Sequence, residues 1–97
     1  AQPATIRLVQ NYPNPFNPRT TITFEIPAGS GHSAGRSSLR LAVYDPAGRE
    51  VVLLLEGWRE PGTHTVSWDA RGLPAGLYLC RLSTAREVQS RKMILVR

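Results

Sequence analysis

Apolar and polar residues alternate along several short runs of the chain, and a period of two is typical of β-strands with one buried face. The clearest run covers residues 20–26, and residues 39–45 repeat the pattern. The side chains predicted to point inward in these two runs are Ile22, Phe24, Ile26, Leu39, Leu41 and Val43. These runs therefore indicate sheets with one face in a core.

Seven segments are predicted as strands: residues 5–10, 20–26, 39–45, 49–56, 63–68, 77–83 and 88–96. Proline and glycine fall at the breaks between them, and no segment keeps a helical period over three turns. Many short strands separated by turn signals indicate an all-β sandwich or a small barrel. We favour the sandwich, because two sheets of this length close a core without the matched shear of a barrel.

The segments between the strands also carry local signals. Residues 45–48 (Asp-Pro-Ala-Gly) and the Pro61-Gly62 pair are turns by residue type. Residues 28–38 are rich in Gly and Ser and are predicted to form a mobile surface loop. Residues 49–56 have a continuous Val/Leu middle, which predicts a strand buried on both sides or near the centre of a sheet. Leu73, in the loop after residue 69, is expected to fold back onto the core.

One tyrosine favours an immunoglobulin-like sandwich of about seven antiparallel strands. Tyr78 begins the sixth predicted strand and stands two residues before Cys80, where immunoglobulin sandwiches place a tyrosine that bonds back to the chain. A single cysteine cannot form an intrachain disulfide, so Cys80 is expected to be a small buried apolar residue. Trp68 ends an alternating strand in the inward phase and is expected in the core.

The length and the net charge of the chain limit the classes of function that it can have. At 97 residues the chain has the size of one domain, so we expect one unit over residues 1–97 without a deep catalytic cleft. The net charge is +5, but the arginines are spread along the whole chain, which favours a soluble cationic surface over a site for nucleic acid or lipopolysaccharide. No apolar run reaches the roughly 18 residues of a membrane helix, so we expect no membrane insertion. Residues 1–10 lack the apolar region of a signal peptide, so any export address was removed earlier or belongs to a larger precursor.

Titratable residues do not form a recognisable catalytic or metal-binding pattern. His32 lies in the Gly/Ser-rich loop, whereas His64 occupies an inward strand position and is expected to be partly buried. Asp45 and Asp69 each precede a turn, which Asp stabilises. We therefore predict no catalytic residue, no cofactor and no metal site. Trp58 has two interpretations, a contact for a glycan or partner and a side chain packed over a sheet edge.

The most unusual segment is residues 10–18, Gln-Asn-Tyr-Pro-Asn-Pro-Phe-Asn-Pro, called here the Asn-Pro segment. Its prolines favour an extended, polyproline-like path and exclude a central strand. We expect it to lie over an edge or an end of the sandwich, anchored by Tyr12 or Phe16. The positions singled out in it are Asn11, Pro13, Asn14, Pro15, Phe16, Asn17 and Pro18.

Several segments in this order resemble the C-terminal sorting domain (type A) of the type IX secretion system. The resemblance rests on residues 11–26, 43–45, 48–51, 62–69, 76–78 and 92–96. That family shares its immunoglobulin-like fold with the C-terminal part of flagellar hook-capping proteins. The chain departs from the pattern in the long insertion at residues 28–38, in Cys80 and in Trp58.

The resemblance implies a non-catalytic module at the end of an exported cargo protein. Such domains fold in the periplasm, dock on the outer-membrane secretion machinery and are commonly cleaved as the cargo reaches the cell surface or the medium. Beyond the Asn-Pro segment, the positions that it marks are Gly48, Glu50, Gly76, Tyr78 and Lys92 with the residues after it.

We expect the last strand to be the docking surface, because it combines charge with an exposed edge that can recruit another strand. The predicted recognition residues are Arg91, Lys92, Met93, Ile94, Leu95 and Val96. The alternative is a structural immunoglobulin-like module, either an accessory domain or a subunit of a surface assembly that self-associates through edge strands. A carbohydrate-binding module, which would depend on Trp58, has less support, and an enzyme has least.

Overall fold

The computed structural model describes residues 5–27 and 37–97. It contains seven strands: β1 (Arg7–Leu8), β2 (Arg19–Ile26), β3 (Ser37–Tyr44), β4 (Glu50–Arg59), β5 (Gly62–Asp69), β6 (Gly76–Thr84) and β7 (Val88–Leu95). Within the described residues there is no helix, so the all-β prediction is confirmed. The first strand is much shorter than predicted, and most of the loop at residues 28–38, including His32, lies outside the described residues; Ser37 and Ser38 belong to β3.

The strands form two antiparallel sheets with the strand orders β1-β2-β5 and β4-β3-β6-β7. Their inner faces share one hydrophobic core, and the predicted inward positions of β2 and β3 are all buried in it. The largest fully buried side chains are Phe16, Phe24, Leu8, Ile22, Ile26, Leu41, Leu82, Met93, Val43 and Cys80. The architecture is therefore a β-sandwich of seven antiparallel strands.

The prediction for β4 is wrong. This strand lies at the edge of the four-stranded sheet, and none of its residues is fully buried. Its Val/Leu run packs with one side against the core, while Leu53 is 39% exposed. The register with β3 shifts twice, which changes the alternation of faces and explains why a continuous apolar run occurs in an edge strand.

Tyr78 makes the contact that its position predicted. Its hydroxyl donates a hydrogen bond to the carbonyl oxygen of Pro74 at 2.6 Å, which fixes the loop before β6. The Trp68 ring lies between the rings of Tyr78 and Phe16, with centroid distances of 6.1 and 5.5 Å. Cys80 is buried as expected, and burial raises the pKa of its thiol to about 12.

Leu73 packs against the core from the loop between β5 and β6, as expected. Residues 5–27 and 37–97 contain no helix that is long and apolar enough to cross a membrane.

Candidate functional site

The last strand, β7, divides the predicted recognition residues between two faces. Met93 and Leu95 point into the core and are 0% and 3% exposed. Lys92 and Ile94 lie on the opposite face, which is the outer face of the four-stranded sheet, and both are exposed. Only part of residues 91–96 is therefore accessible to a partner through its side chains.

The free edge of β7 is covered by the Asn-Pro segment over residues 92–96. The amide of Ile94 donates to Asn14 Oδ1, and the amide of Phe16 donates to the carbonyl oxygen of Ile94, both at 2.9 Å. The amide of Val96 donates to the carbonyl oxygen of Phe16 at 2.9 Å. The expectation of an exposed edge is wrong here, because the chain fills these bonding positions itself.

Amide side chains hold the Asn-Pro segment in this place. Gln10 Nε2 and Asn14 Nδ2 donate to the carbonyl oxygen of Lys92 at 2.8 and 3.4 Å. Asn11 is 3% exposed, and its Nδ2 donates to Thr20 Oγ1 at 2.9 Å and to the carbonyl oxygen of Pro13 at 3.1 Å. The segment therefore lies over an edge, as predicted.

Phe16 is the anchor of the Asn-Pro segment, at 1% exposure, whereas Tyr12 is 81% exposed. The path bends at residues 13–15 and 17–18 and is not a continuous polyproline helix; the peptide bonds before Pro13, Pro15 and Pro18 are cis. At its end, the carbonyl oxygen of Pro18 accepts a hydrogen bond from the amide of Ala70 at 3.0 Å.

Further along β7, two side chains join the two sheets. Gln89 accepts a hydrogen bond from the amide of Leu8 and donates one to the carbonyl oxygen of Ile6, both at 2.7 Å. Arg91 Nε donates to the carbonyl oxygen of Leu8 at 2.9 Å. Arg91, which the sequence suggested as a recognition residue, therefore closes the side of the sandwich between β1 and β7.

The outer face of the four-stranded sheet carries a hollow of about 240 Å³ beside β7. We call it the outer hollow; it is lined by Tyr44, Asp45, Pro46, Gly48, Leu77, Tyr78, Leu79, Arg81 and Lys92. Leu77 and Ile94 are opposed residues of β6 and β7 and are each 43% exposed at its end. Its surface is mostly apolar, with charged groups from two strands beside it.

The turn between β3 and β4 forms one wall of the outer hollow. Asp45 Oδ1 accepts hydrogen bonds from the amides of Arg49 and Ala47 at 2.9 and 3.0 Å, and the bond from Arg49 is the main reason why the pKa of Asp45 is lowered. Gly48 has a φ of +86°, in the left-handed region where a side chain is strained. The turn is thus fixed by its own residues.

Next to this turn, Glu50 forms an ion pair with Arg40 at 2.6 Å, and this interaction lowers the pKa of Glu50. The Tyr44 hydroxyl lies between the two groups, at 3.3 Å from Arg40 Nη1 and 3.4 Å from Glu50 Oε1. Glu50 therefore orients Tyr44 at the border of the hollow.

The two cations of the outer hollow have no carboxylate partner among the described residues. The Arg81 guanidinium lies 4.8 Å from the centroid of the Tyr44 ring, and Lys92 is exposed beside Leu79. By contrast, Arg40 of β3 and Arg49 of the turn between β3 and β4 are both paired with carboxylates. The hollow therefore combines an apolar surface with uncompensated positive charge.

Two of the titratable residues that the sequence offered, His64 and Asp69, have structural partners. His64 stacks on Phe24 at 5.2 Å and its Nε2 lies 2.7 Å from the carbonyl oxygen of Glu60. Asp69 forms ion pairs with Arg19 and Arg71, and its pKa is lowered, mainly by the amide of Arg71. In the described part of the chain, no group of three His, Cys, Asp or Glu side chains could hold a metal ion. Trp58 is 48% exposed on β4.

Sequence reasoning missed several residues of this region. Gln10 begins the Asn-Pro segment but was not singled out in it, and Gln89 lies outside any motif; their contacts bridge 82 and 83 positions of the chain. Leu79 and Arg81 occupy the outward positions of β6, whereas Tyr78 and Cys80, the residues singled out in the sequence, point inward. Leu77, Leu79 and Arg81 alternate with the inward residues of β6, and this alternation was the only local signal that could have identified Leu79 and Arg81.

A comparison with family models identifies the family to which the chain belongs. The model described as a secretion system C-terminal sorting domain matches residues 10–96, which include the Asn-Pro segment, the turn at Gly48 and all of β7. The chain belongs to this family. A comparison with curated proteins found no match.

Membership in the family gives this sorting domain the role of a type IX secretion C-terminal signal. Sorting domains are non-catalytic modules that associate with a secretion machinery and with a cargo. The protein that carries this one is secreted to the cell surface or to the outside of the cell.

Proposed function

We propose that residues 1–97 act as one folded sorting signal, which the outer-membrane secretion machinery recognises through the outer hollow. The domain crosses the periplasm with a cargo fused to its N-terminal side and directs that cargo to the cell surface or the medium. It acts by protein recognition alone and performs no catalysis, with neither cofactor nor metal.

The observation that carries this proposal is the arrangement of β7. Its inner residues are core, and its edge over residues 92–96 is covered by the Asn-Pro segment. A partner can therefore contact β7 on its outer face, where Lys92 and Ile94 lie beside Leu77 and Arg81 of β6. Recognition through side chains on a sheet face therefore fits the structure better than addition of a strand at this edge.

The chemistry of the outer hollow indicates the character of the contacting surface. Apolar contact with Leu77 and Leu79 gives binding energy, and the charges of Arg81 and Lys92 favour an acidic neighbour over a basic one. We propose that the secretion machinery presents an acidic surface with at least one apolar side chain at this place.

The other marked positions support the outer hollow without being contacts in the proposal. Gly48 and Glu50 set the turn and the ion pair at its border, and Gly76, with a φ of +148°, begins β6 next to it. Tyr78 and Trp68 fix the fold beneath it.

A fusion experiment tests the sorting role. We expect a periplasmic reporter protein fused in front of residues 1–97 to reach the surface or the medium of a bacterium with type IX secretion. The reporter alone should stay in the periplasm, and so should the fusion in a strain without the outer-membrane translocon. The quantity measured is the exported fraction of the reporter, by immunoblot of the cell and medium fractions.

Export of the reporter without the domain, or retention of a folded fusion in the intact strain, would contradict the sorting role. Deletion of residues 92–97 should also abolish export. Because this deletion removes Met93 and Leu95 from the core, the folded fraction of the truncated domain must be measured by protease resistance beside its export.

A further inference from the structure

The four edge strands of the two sheets differ in how they are protected against pairing with another chain. On one side of the sandwich, Gln89 and Arg91 of β7 bond to the main chain of Leu8 in β1 and of Ile6 just before it, and the Asn-Pro segment covers residues 92–96 of β7 and the chain after it. Natural β-proteins protect their edges with such coverings, with bulges, or with Lys and Pro.

On the other side of the sandwich, the irregular register of β4 protects it against pairing with another strand. Its register with β3 shifts between Leu41 and Ala42 and again between Val43 and Tyr44, so that Leu54 and Val51 have no opposed residue. Two bulges within ten residues interrupt the even spacing of outward amides and carbonyls that a pairing strand needs.

Among residues 5–27 and 37–97, nothing of this kind protects strand β5. It pairs with β2 over eight residues without a register shift, and in the described part of the chain no main-chain bond reaches its other edge. From Gly62 to Trp68 it contains no Lys, Arg, Asp, Glu or Pro. It is therefore a regular, uncharged edge of the kind that recruits another strand.

The bonding groups at this edge follow from the register. Thr21 exchanges main-chain hydrogen bonds with Tyr12, so its amide and carbonyl point away from β5. Its opposed residue, Ser67, then points away from β2, because opposed residues in an antiparallel pair face each other or face apart together. By alternation, the outward groups of β5 belong to Thr63, Thr65 and Ser67.

We propose that β5 pairs antiparallel with β5 of a second copy, about a two-fold axis at Thr65. This register opposes Thr63 with Ser67 and Thr65 with Thr65, and each of these pairs exchanges main-chain hydrogen bonds. The hydroxyl side chains of these residues share the outer face, where Thr–Thr and Thr–Ser pairs are favourable. No charged side chain opposes another within the paired strands.

The partner is a second copy of this chain, because the edge of β5 is complementary to itself. The other edges of a neighbouring copy are covered or bulged, so its β5 is the partner left for this β5, and the contact closes as a dimer instead of growing into a fibre. The outer hollow lies on the other sheet and stays open in the dimer, so this inference does not depend on the proposed function.

Cysteine cross-linking tests the register. Thr65→Cys places two thiols opposite each other, at the Cα separation of a bonded pair, which a disulfide spans. With oxidised glutathione as the oxidant, we expect Thr65→Cys to form a covalent dimer at least roughly tenfold faster than Thr21→Cys, because pairing raises the local thiol concentration. Thr21 is a matched control, exposed on the same sheet face but one strand inward, and the native Cys80 is buried.

Sedimentation of the unmodified domain tests the association itself. We expect a monomer–dimer equilibrium with a dissociation constant on the order of 10–100 μM, since one strand pair buries less than a standard interface. Thr65→Pro removes an outward amide at an edge, a place where β-strands accept proline, and should be monomeric. If Thr65→Pro is unfolded, Thr65→Lys is used in its place. It brings two ammonium groups together on the two-fold axis and should also be monomeric.

Equal disulfide rates for Thr65→Cys and Thr21→Cys would overturn the proposal, as would a wild-type domain that stays monomeric up to about 1 mM. Faster cross-linking of Thr63→Cys than of Thr65→Cys would overturn the register, and growing fibres would overturn the closed dimer.

Discussion

Replacement of Phe16 by Ala should destabilise the domain by about 3–5 kcal/mol, the usual cost of removing a buried phenylalanine. Phe16 is 1% exposed, its ring packs 5.5 Å from Trp68, and its main chain bonds to Ile94 and Val96. Its loss leaves a cavity between the two sheets and weakens the attachment of the Asn-Pro segment to β7. Urea denaturation monitored by tryptophan fluorescence gives the free energy of unfolding.

For a domain of this size the same change should lower the melting temperature by more than roughly 12 °C. Tyr12→Ala is the matched control, because Tyr12 is the other aromatic residue of the Asn-Pro segment and is 81% exposed. We expect its effect on the free energy of unfolding to stay within about 0.5 kcal/mol. Equal effects of the two variants would show that Phe16 does not anchor the segment.

Reversal of both charges of the outer hollow, in the double variant Arg81→Glu, Lys92→Glu, should reduce export of a fused reporter by at least roughly tenfold. Like charges brought together at an interface cost several kcal/mol, and each 1.4 kcal/mol is a factor of ten in binding. Both side chains are exposed and lack a carboxylate partner among the described residues, so we expect little change in stability. The exported fraction and the melting temperature are the two measurements.

Two further variants complete this experiment. Arg86→Glu changes an exposed arginine in the turn between β6 and β7 and should leave export unchanged. Lys92→Arg keeps the charge and should retain export. If the double variant is folded and exported as well as the wild type, the charges of the outer hollow have no part in recognition.

The sandwich could be predicted from the sequence because its evidence is local. The alternation in β2 and β3 identifies Ile22, Phe24 and Leu41 as inward residues, and each is buried. The position of Tyr78 two residues before Cys80 predicts its bond to the chain before β6, which the structure contains. Period and turn chemistry depend on neighbouring residues, so a single sequence shows them.

The edges of the sheets could not be predicted in the same way. The position of β4 depends on which strands pair with β3, and residues 49–56 alone do not show it. Likewise, the edge of β7 is covered by Asn14 and Phe16, which are about eighty residues away in sequence. The motif was visible in the sequence, but the strand that it covers was not.

The outer hollow is a further product of long-range pairing. It brings together Gly48 of a turn, Leu77 and Arg81 of β6, and Lys92 of β7, and no sequence spacing links them. Lys92 was identified at the sequence level through a family resemblance, and the structure adds its neighbours. The antiparallel register of β6 with β3 and β7 is the physical reason for this convergence.

Site-specific photo-cross-linking in secreting cells tests most directly which face of the domain the secretion machinery contacts. A benzophenone amino acid at Leu77, beside the outer hollow, is compared with the same group at Thr21 on the opposite sheet; both positions are exposed. We expect adducts with a component of the translocon from position 77 and none from position 21. Adducts from position 21 alone, with a folded and exported domain in both cases, would contradict this expectation.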